Sequence, residues 1–304
     1  PALAGVVAGR ILVSDTYGLP GVFVTARDTA TNIETTVYSG ADGHYLLPAL
    51  AAGHYELRAH HARFEDARRE IDVAAETQAQ DLTLTTNPEP LRHASTATWF
   101  AHVPDGAEKR EFILNCMSCH EIAFGRVMKD GAPRTRQQWL DAIALMKSFD
   151  KYAVIPPDFD VEHYADWLTT QFNAASVAKL AAPALASKDA RAEIVEYPVP
   201  IASELPHDLV VGPDQRIRVT AFWNSAMWAL DPATGHVESY EVNDQPKVPA
   251  QVRALAFAQD GTLWLVNGGT ESVVRLDPRT RKYITYKVGI YPHDIALDSH
   301  GDVW

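Results

Sequence analysis

Cysteine is nearly absent. The 304 residues contain two, Cys116 and Cys119. Two thiols cannot build a disulfide framework, and without a second Cys pair they cannot complete a finger-type zinc site. Long apolar runs are missing as well. No stretch of about 18 apolar residues occurs, so the sequence predicts no membrane span. Basic charge is in deficit, with 27 Lys and Arg against 39 Asp and Glu and a formal net charge of −12. An acidic surface argues against nucleic acid and for neutral or basic partners. No Met or apolar leader precedes Pro1, as expected of an exported chain whose signal peptide has been removed. What remains, 46% hydrophobic and 22% charged residues, is the ordinary balance of a globular protein. The length points to two or three domains.

The two cysteines stand together in Cys116-Met117-Ser118-Cys119-His120. This C-x-x-C-H pattern is the attachment motif of a c-type haem. Two thiols three positions apart can both add to the vinyl groups of one porphyrin, and the adjacent histidine then sits under the iron. A thioredoxin-like dithiol would need a βαβ context that the flanks do not offer, and a plain disulfide would leave His120 unexplained. One covalent haem c is therefore the expected cofactor, and one-electron transfer the expected chemistry. The resemblance to c-type cytochromes implies installation outside the bacterial cytoplasm, hence a periplasmic location.

The pattern changes character along the chain. Residues 1–86 read as short β-rich runs separated by Gly, Pro and Asp every 8–12 residues, which predicts a small all-β sandwich. Gly9, Ile11, Gly18, Pro20, Gly21, Val22, Val24, Asp42, Gly43, Tyr45, Leu50, Gly53 and Tyr55 carry an order of turns and core positions that resembles the carboxypeptidase regulatory-like domain family. That resemblance implies an accessory module. His54, His60 and His61 suggest a metal, but strand histidines are more often solvated polar residues.

After a Pro-rich linker at residues 87–95, the period becomes helical over 96–173. Thr135-Arg136-Gln137-Gln138 predicts a capping box, with Trp139, Ile143 and Met146 on one apolar face. Asp160 predicts a cap for a helix that buries Val161, Tyr164, Trp167, Leu168 and Phe172. Three helices around C-x-x-C-H resemble a class I cytochrome c domain, all-α, of the kind found in quinohaemoprotein-type dehydrogenases. That resemblance implies Trp139 beside the haem and Met146 as sixth ligand, with His120 and Met146 holding the iron. Among the four methionines, Met117 lies inside the attachment loop, and Met128 is only eight residues past His120. His163 or an open position are the alternatives to Met146. His/Met ligation would favour relay of electrons over oxygen chemistry.

Residues 174–193 are Ala-rich and read as a linker. From 194 to 304 the chain repeats. Pro206-His207-Asp208 recurs as Pro292-His293-Asp294, with Val252-Arg253-Ala254 between, and Asp231-Pro232 recurs as Asp277-Pro278. A period of about 43 residues with several short strands per unit predicts propeller blades. The pattern resembles the virginiamycin B lyase (streptogramin lyase) propeller family, over the first blades only. The expected fold class is thus an all-β sandwich, then an all-α cytochrome c domain, then an incomplete β-propeller whose chain continues past Trp304. His207 and His293 would occupy equivalent inner-strand positions, either binding a ligand or tying blades together.

The function expected is that of a periplasmic electron-transfer protein, with sandwich and propeller docking it to a dehydrogenase or another cytochrome, or holding a small organic substrate. The alternatives are an oxidoreductase with its substrate site in the propeller and the haem as electron acceptor, and a lyase-like propeller that carries a haem. No catalytic residue can be named for either.

Overall fold

The computed structural model describes residues 4–14, 17–117, 121–148, 155–180, 192–201, 204–245 and 247–304. The chain divides into two compact units, one holding Pro1–Ala30 and Glu34–Val195, the other Thr31–Ile33 and Glu196–Trp304.

The first unit begins with two packed β-layers. Strand β1 (Val7–Ser14) pairs antiparallel with His44–Leu46 and parallel with the short segments Gln78–Ala79 and Leu82–Thr83. The facing layer is antiparallel: β2 (Phe23–Asp28) lies between β3 (Glu34–Tyr38) and β4 (Gly53–His60), and β4 also pairs with β5 (Ala67–Val73). Alternation puts Tyr55, Leu57 and Ala59 of β4 inside with Val24 and Ala26 of β2, where they meet Val7, Ile11 and Leu82 of the other layer. Thr25 and Thr36, buried across the β2–β3 pair, satisfy each other through their hydroxyls at 2.8 Å.

The turns explain the glycine pattern. Gly43 takes φ +83, and a Cβ there would lie 2.7 Å from the Cα of Gly18. A Cβ on Gly18 would lie 2.0 Å from the carbonyl oxygen of Asp42. The two glycines let the chain pass over itself where any side chain would collide with backbone.

The middle of the chain corrects the expected fold class. An all-α cytochrome c domain is not found: the chain is mostly β, and its described helices are six and short, the longest of 12 residues. They are α1 (Thr96–Phe100), α2 (Ala107–Cys116), α3 (Phe124–Val127), α4 (Arg136–Lys147), α5 (Val161–Gln171) and α6 (Ala174–Val177). Directly after α3, Met128–Lys129 pairs antiparallel with Ala132–Pro133. The cause is local. Asp130 and Gly131 take φ +52 and +81, the left-handed pair that a two-residue hairpin requires, and Pro133 cannot rejoin a helix.

Within this region local signals act as their residue types dictate. Thr135 accepts from the Gln138 amide at 3.3 Å while the Gln138 side chain accepts from the Thr135 amide at 2.9 Å, closing a capping box on α4. Asp160 accepts from the His163 amide at 3.0 Å and caps α5. The helices share an aromatic core of Trp99, Phe100, Phe112, Trp139, Tyr164, Trp167 and Phe172. Asn173 caps α6 at the start of the Ala-rich stretch; residues 181–191 lie outside the described residues.

The second unit contains two four-stranded antiparallel meanders. The first runs β6 (Pro206–Val211), β7 (Ile217–Ala221), β8 (Ala226–Leu230) and β9 (Val237–Glu241); the second runs β10 (Val252–Phe257), β11 (Leu263–Asn267), β12 (Ser272–Leu276) and β13 (Tyr283–Lys287). Met227, Val252, Leu263, Leu265, Val274 and Leu276 form a fully buried core. The sequence repeat has a structural cause at each turn. Gln215, Gly261 and Gly301 all take positive φ, and each amide bonds the carbonyl three residues back, at Gly212, Ala258 and Asp298. No helix among the described residues is long and apolar enough to cross a membrane.

Candidate functional site

Cys116 is the last residue of α2, and Met117 follows as its C-cap. Cys119 and His120 lie outside the described residues. The Cys116 side chain packs against the aromatic core of the helical region. Burial, and secondarily the carboxylate of Glu111, pushes its thiol pKa up to about 12, so the group is held protonated.

Helix α5 crosses near α2. Trp167 packs on Phe112 with ring centroids 5.5 Å apart, and the Tyr164 hydroxyl donates to Glu111 at 2.7 Å. Burial and that bond raise the phenol pKa, keeping Tyr164 a donor. Trp139 of α4 is buried, 6.2 Å from the Phe172 ring, with the Arg134 guanidinium 5.8 Å from its own ring. The indole N–H groups of Trp99 and Trp139 are buried and have no acceptor among the described residues. Such orphaned donors are uncommon in native cores. They fit a group that brings an acceptor into an apolar aromatic surround, as the carboxylates of a porphyrin would.

The other predicted residues divide. Trp139 and Ile143 of α4 are buried together, whereas Met146, one turn on, is half-buried and lies outside that packed group. Met117 and Met128 do pack against it, and Met227 is fully buried in the second unit. His163 is engaged elsewhere, its Nε2 3.3 Å from Glu108. In the sandwich, His54 pairs with Asp72 at 2.8 Å, His60 pairs with Asp66 at 2.6 Å, and His61 is buried. Among the described residues no group of three or more His, Cys, Asp or Glu side chains is placed to hold a metal ion.

In the second unit the repeated histidines meet through a residue that the motif reading passed over. Arg253 donates from Nη1 to Nε2 of His207 at 3.0 Å and to Nε2 of His293 at 2.9 Å, and from Nε to the Tyr291 hydroxyl at 2.6 Å. Each first strand of a meander has a register shift at this level, between Pro206 and Leu209 and between Val252 and Leu255. Such irregularities re-aim side chains. The signal was present in the repeat, since Arg253 occupies the slot that His207 and His293 fill in the flanking copies.

The chain therefore has an N-terminal β-sandwich module, a short-helix region carrying C-x-x-C-H, and a unit of repeated antiparallel meanders. Residues 6–85 match the Carboxypeptidase regulatory-like domain family. No curated protein matches the chain. Among solved structures it is similar to virginiamycin B lyase of Staphylococcus aureus, at 18% identity and TM-score 0.34 over 38% of this chain and 39% of that one. A catalytically inactive variant of that lyase, with quinupristin, aligns with 98% of this chain and 81% of its own at 11% identity and TM-score 0.33. Hydrazine synthase of Kuenenia stuttgartiensis aligns at 22% identity and TM-score 0.28 over 35% of this chain and 31% of that one. The chain thus spans well under half the length of the lyase structure it matches first.

Proposed function

We propose that this protein is an exported electron carrier that binds one c-type haem covalently. The observation that carries the reading is the position of Cys116. It opens C-x-x-C-H at the end of α2 and packs on an aromatic core that holds the indole donors of Trp99 and Trp139, which have no acceptor among the described residues.

In this reading Cys116 and Cys119 tether the haem, His120 is the proximal ligand and Met146 the distal one. The bound haem supplies a reversible one-electron change at iron. The chain does the rest. Phe100, Phe112, Trp167 and Phe172 pack in the core that Cys116 borders and would keep water from that side of the haem. Trp139 offers its N–H to an anionic acceptor, and the Tyr164–Glu111 bond holds α5 against α2. The net charge of −12 favours a neutral or basic redox partner, such as a dehydrogenase or another c-type haem protein. A periplasmic site of haem attachment goes with this reading, since c-type haem is joined to the chain outside the cytoplasm. The sandwich module would serve in docking.

The deciding experiment is expression with haem-maturation machinery, followed by alkaline pyridine treatment and intact-mass measurement. One haem per chain is expected, falling to background in a Cys116→Ala, Cys119→Ala double variant. Colourless wild-type protein would overturn the proposal.

A further inference from the structure

The second unit holds a cation, Arg253, whose direct hydrogen-bond partners carry no carboxylate. A guanidinium can only donate, so the imidazoles of His207 and His293 both accept at Nε2 and carry their proton on Nδ1. Both rings are then uncharged. The third partner, the Tyr291 hydroxyl, is also neutral. The aspartates next to the histidines are engaged with their own backbone: Asp208 accepts from the Leu209 amide and Asp294 from the Ile295 amide, each at 2.8 Å. Among the described residues the second unit's ion pairs within 4.0 Å do not include Arg253.

The guanidinium also lies between two aromatic faces, 4.9 Å from the Phe222 ring and 5.2 Å from the Tyr291 ring. Trp223, in edge contact with Phe222, is 42% exposed, and Tyr291 is 43% exposed. His207 and His293 are exposed too, so the cluster opens to solvent. The result is one fixed positive charge with apolar rings beside it.

We propose that Arg253, held by His207, His293 and Tyr291, is the anchor of a binding site for a small aromatic carboxylate. The carboxylate would pair with the guanidinium, and the aromatic body would lie against Trp223 and Tyr291. A metal cation does not suit the site, because Arg253 repels it and occupies both imidazole lone pairs. A phosphate dianion brings two charges to a single guanidinium and leaves the aromatic flanks unused. His207, Arg253 and His293 come from equivalent positions of successive repeats, so the repeat architecture assembles the site. It is independent of the haem reading, and its test reads no electron transfer.

The test is calorimetric titration of the full chain at low salt with benzoate, benzamide and inorganic phosphate. Saturable benzoate binding is expected, weakened at least tenfold in Arg253→Gln. Benzamide and phosphate should show no saturable binding. Trp223→Ala provides a second variant at an exposed side chain, expected to weaken benzoate severalfold with the thermal midpoint unchanged. The proposal is overturned if benzoate does not saturate, if benzamide or phosphate binds as well as benzoate, or if both variants bind benzoate like the wild type.

Discussion

Asp214 grips Arg218 through two parallel hydrogen bonds, Oδ1 accepting from Nη1 at 3.1 Å and Oδ2 from Nη2 at 2.8 Å. The arginine side chain is 3% exposed and the aspartate 49%. The two Nη groups of a buried guanidinium are therefore paired from the rim of the first meander, and the guanidinium lies 5.7 Å from the Phe257 ring of the second. Hydrogen bonds from Arg218 hold the Asp214 carboxyl below its ordinary pKa. A depressed carboxylate contributes stability above its unfolded pKa of about 3.9 and loses it as pH falls through the folded value. Asp214→Asn should cost about 1–3 kcal/mol at neutral pH, as expected for hydrogen bonds to a charged group. It should also flatten the acid limb of the stability curve. Urea unfolding between pH 7 and pH 3 checks both; an unchanged acid limb would contradict the assignment.

His207 predicts a second acid loss, nearer neutrality. Partial desolvation of this solvent-facing ring, and then the Arg253 cation, lower its pKa below that of a free imidazole. The unfolded chain takes up the proton first. The contribution is present above about pH 6.5 and is lost as pH drops from there toward the folded value. Thermal midpoints at pH 7.5 and 5.5 should show a smaller acid loss in His207→Gln than in wild type. Equal losses would mean that His207 takes up its proton equally in the folded and unfolded chain.

Met146 can be tested through the iron. If its sulfur is the distal ligand, Met146→Ala should lower the reduction potential by an appreciable part of the roughly 0.8 V range that axial ligands span. The ferrous protein should also begin to bind carbon monoxide. Met128→Ala removes a sulfur that packs on the aromatic core and should leave the potential nearly unchanged. The reverse pattern would transfer the ligand role to Met128.

Gly43→Ala should destabilise the sandwich by more than about 1 kcal/mol, since it combines a left-handed backbone with a collision against the Gly18 backbone. Gly53→Ala has no such burden: a Cβ there meets only the Tyr55 ring at 3.5 Å. Its midpoint should move by much less. Differential scanning calorimetry of the two variants makes the comparison, and similar losses would refute the steric argument.

The legible parts of this chain were those governed by neighbours in sequence. The Thr135–Gln138 capping box and the Asp160 cap follow from which side chains reach an amide three residues away. The sandwich turns follow from glycines where backbone passes backbone. The all-α expectation failed at Asp130-Gly131, a two-residue hairpin signal outweighed by the surrounding helical periodicity. The single apolar face assigned to α4 was also only partly observed, because Met146 sits near the helix end, where the core no longer covers it.

Sequence by itself determined the C-x-x-C-H spacing, the alternating strands and the repeat period, because each depends on bonds and contacts within a few residues. Tertiary structure alone decided that His207 and His293 meet on Arg253, 46 and 40 residues away. It also decided that two indole donors are sealed in an aromatic core without acceptors among the described residues. Convergence over such separations depends on how strands shift register and how layers pack, and burial is a property of the whole fold that no local pattern encodes.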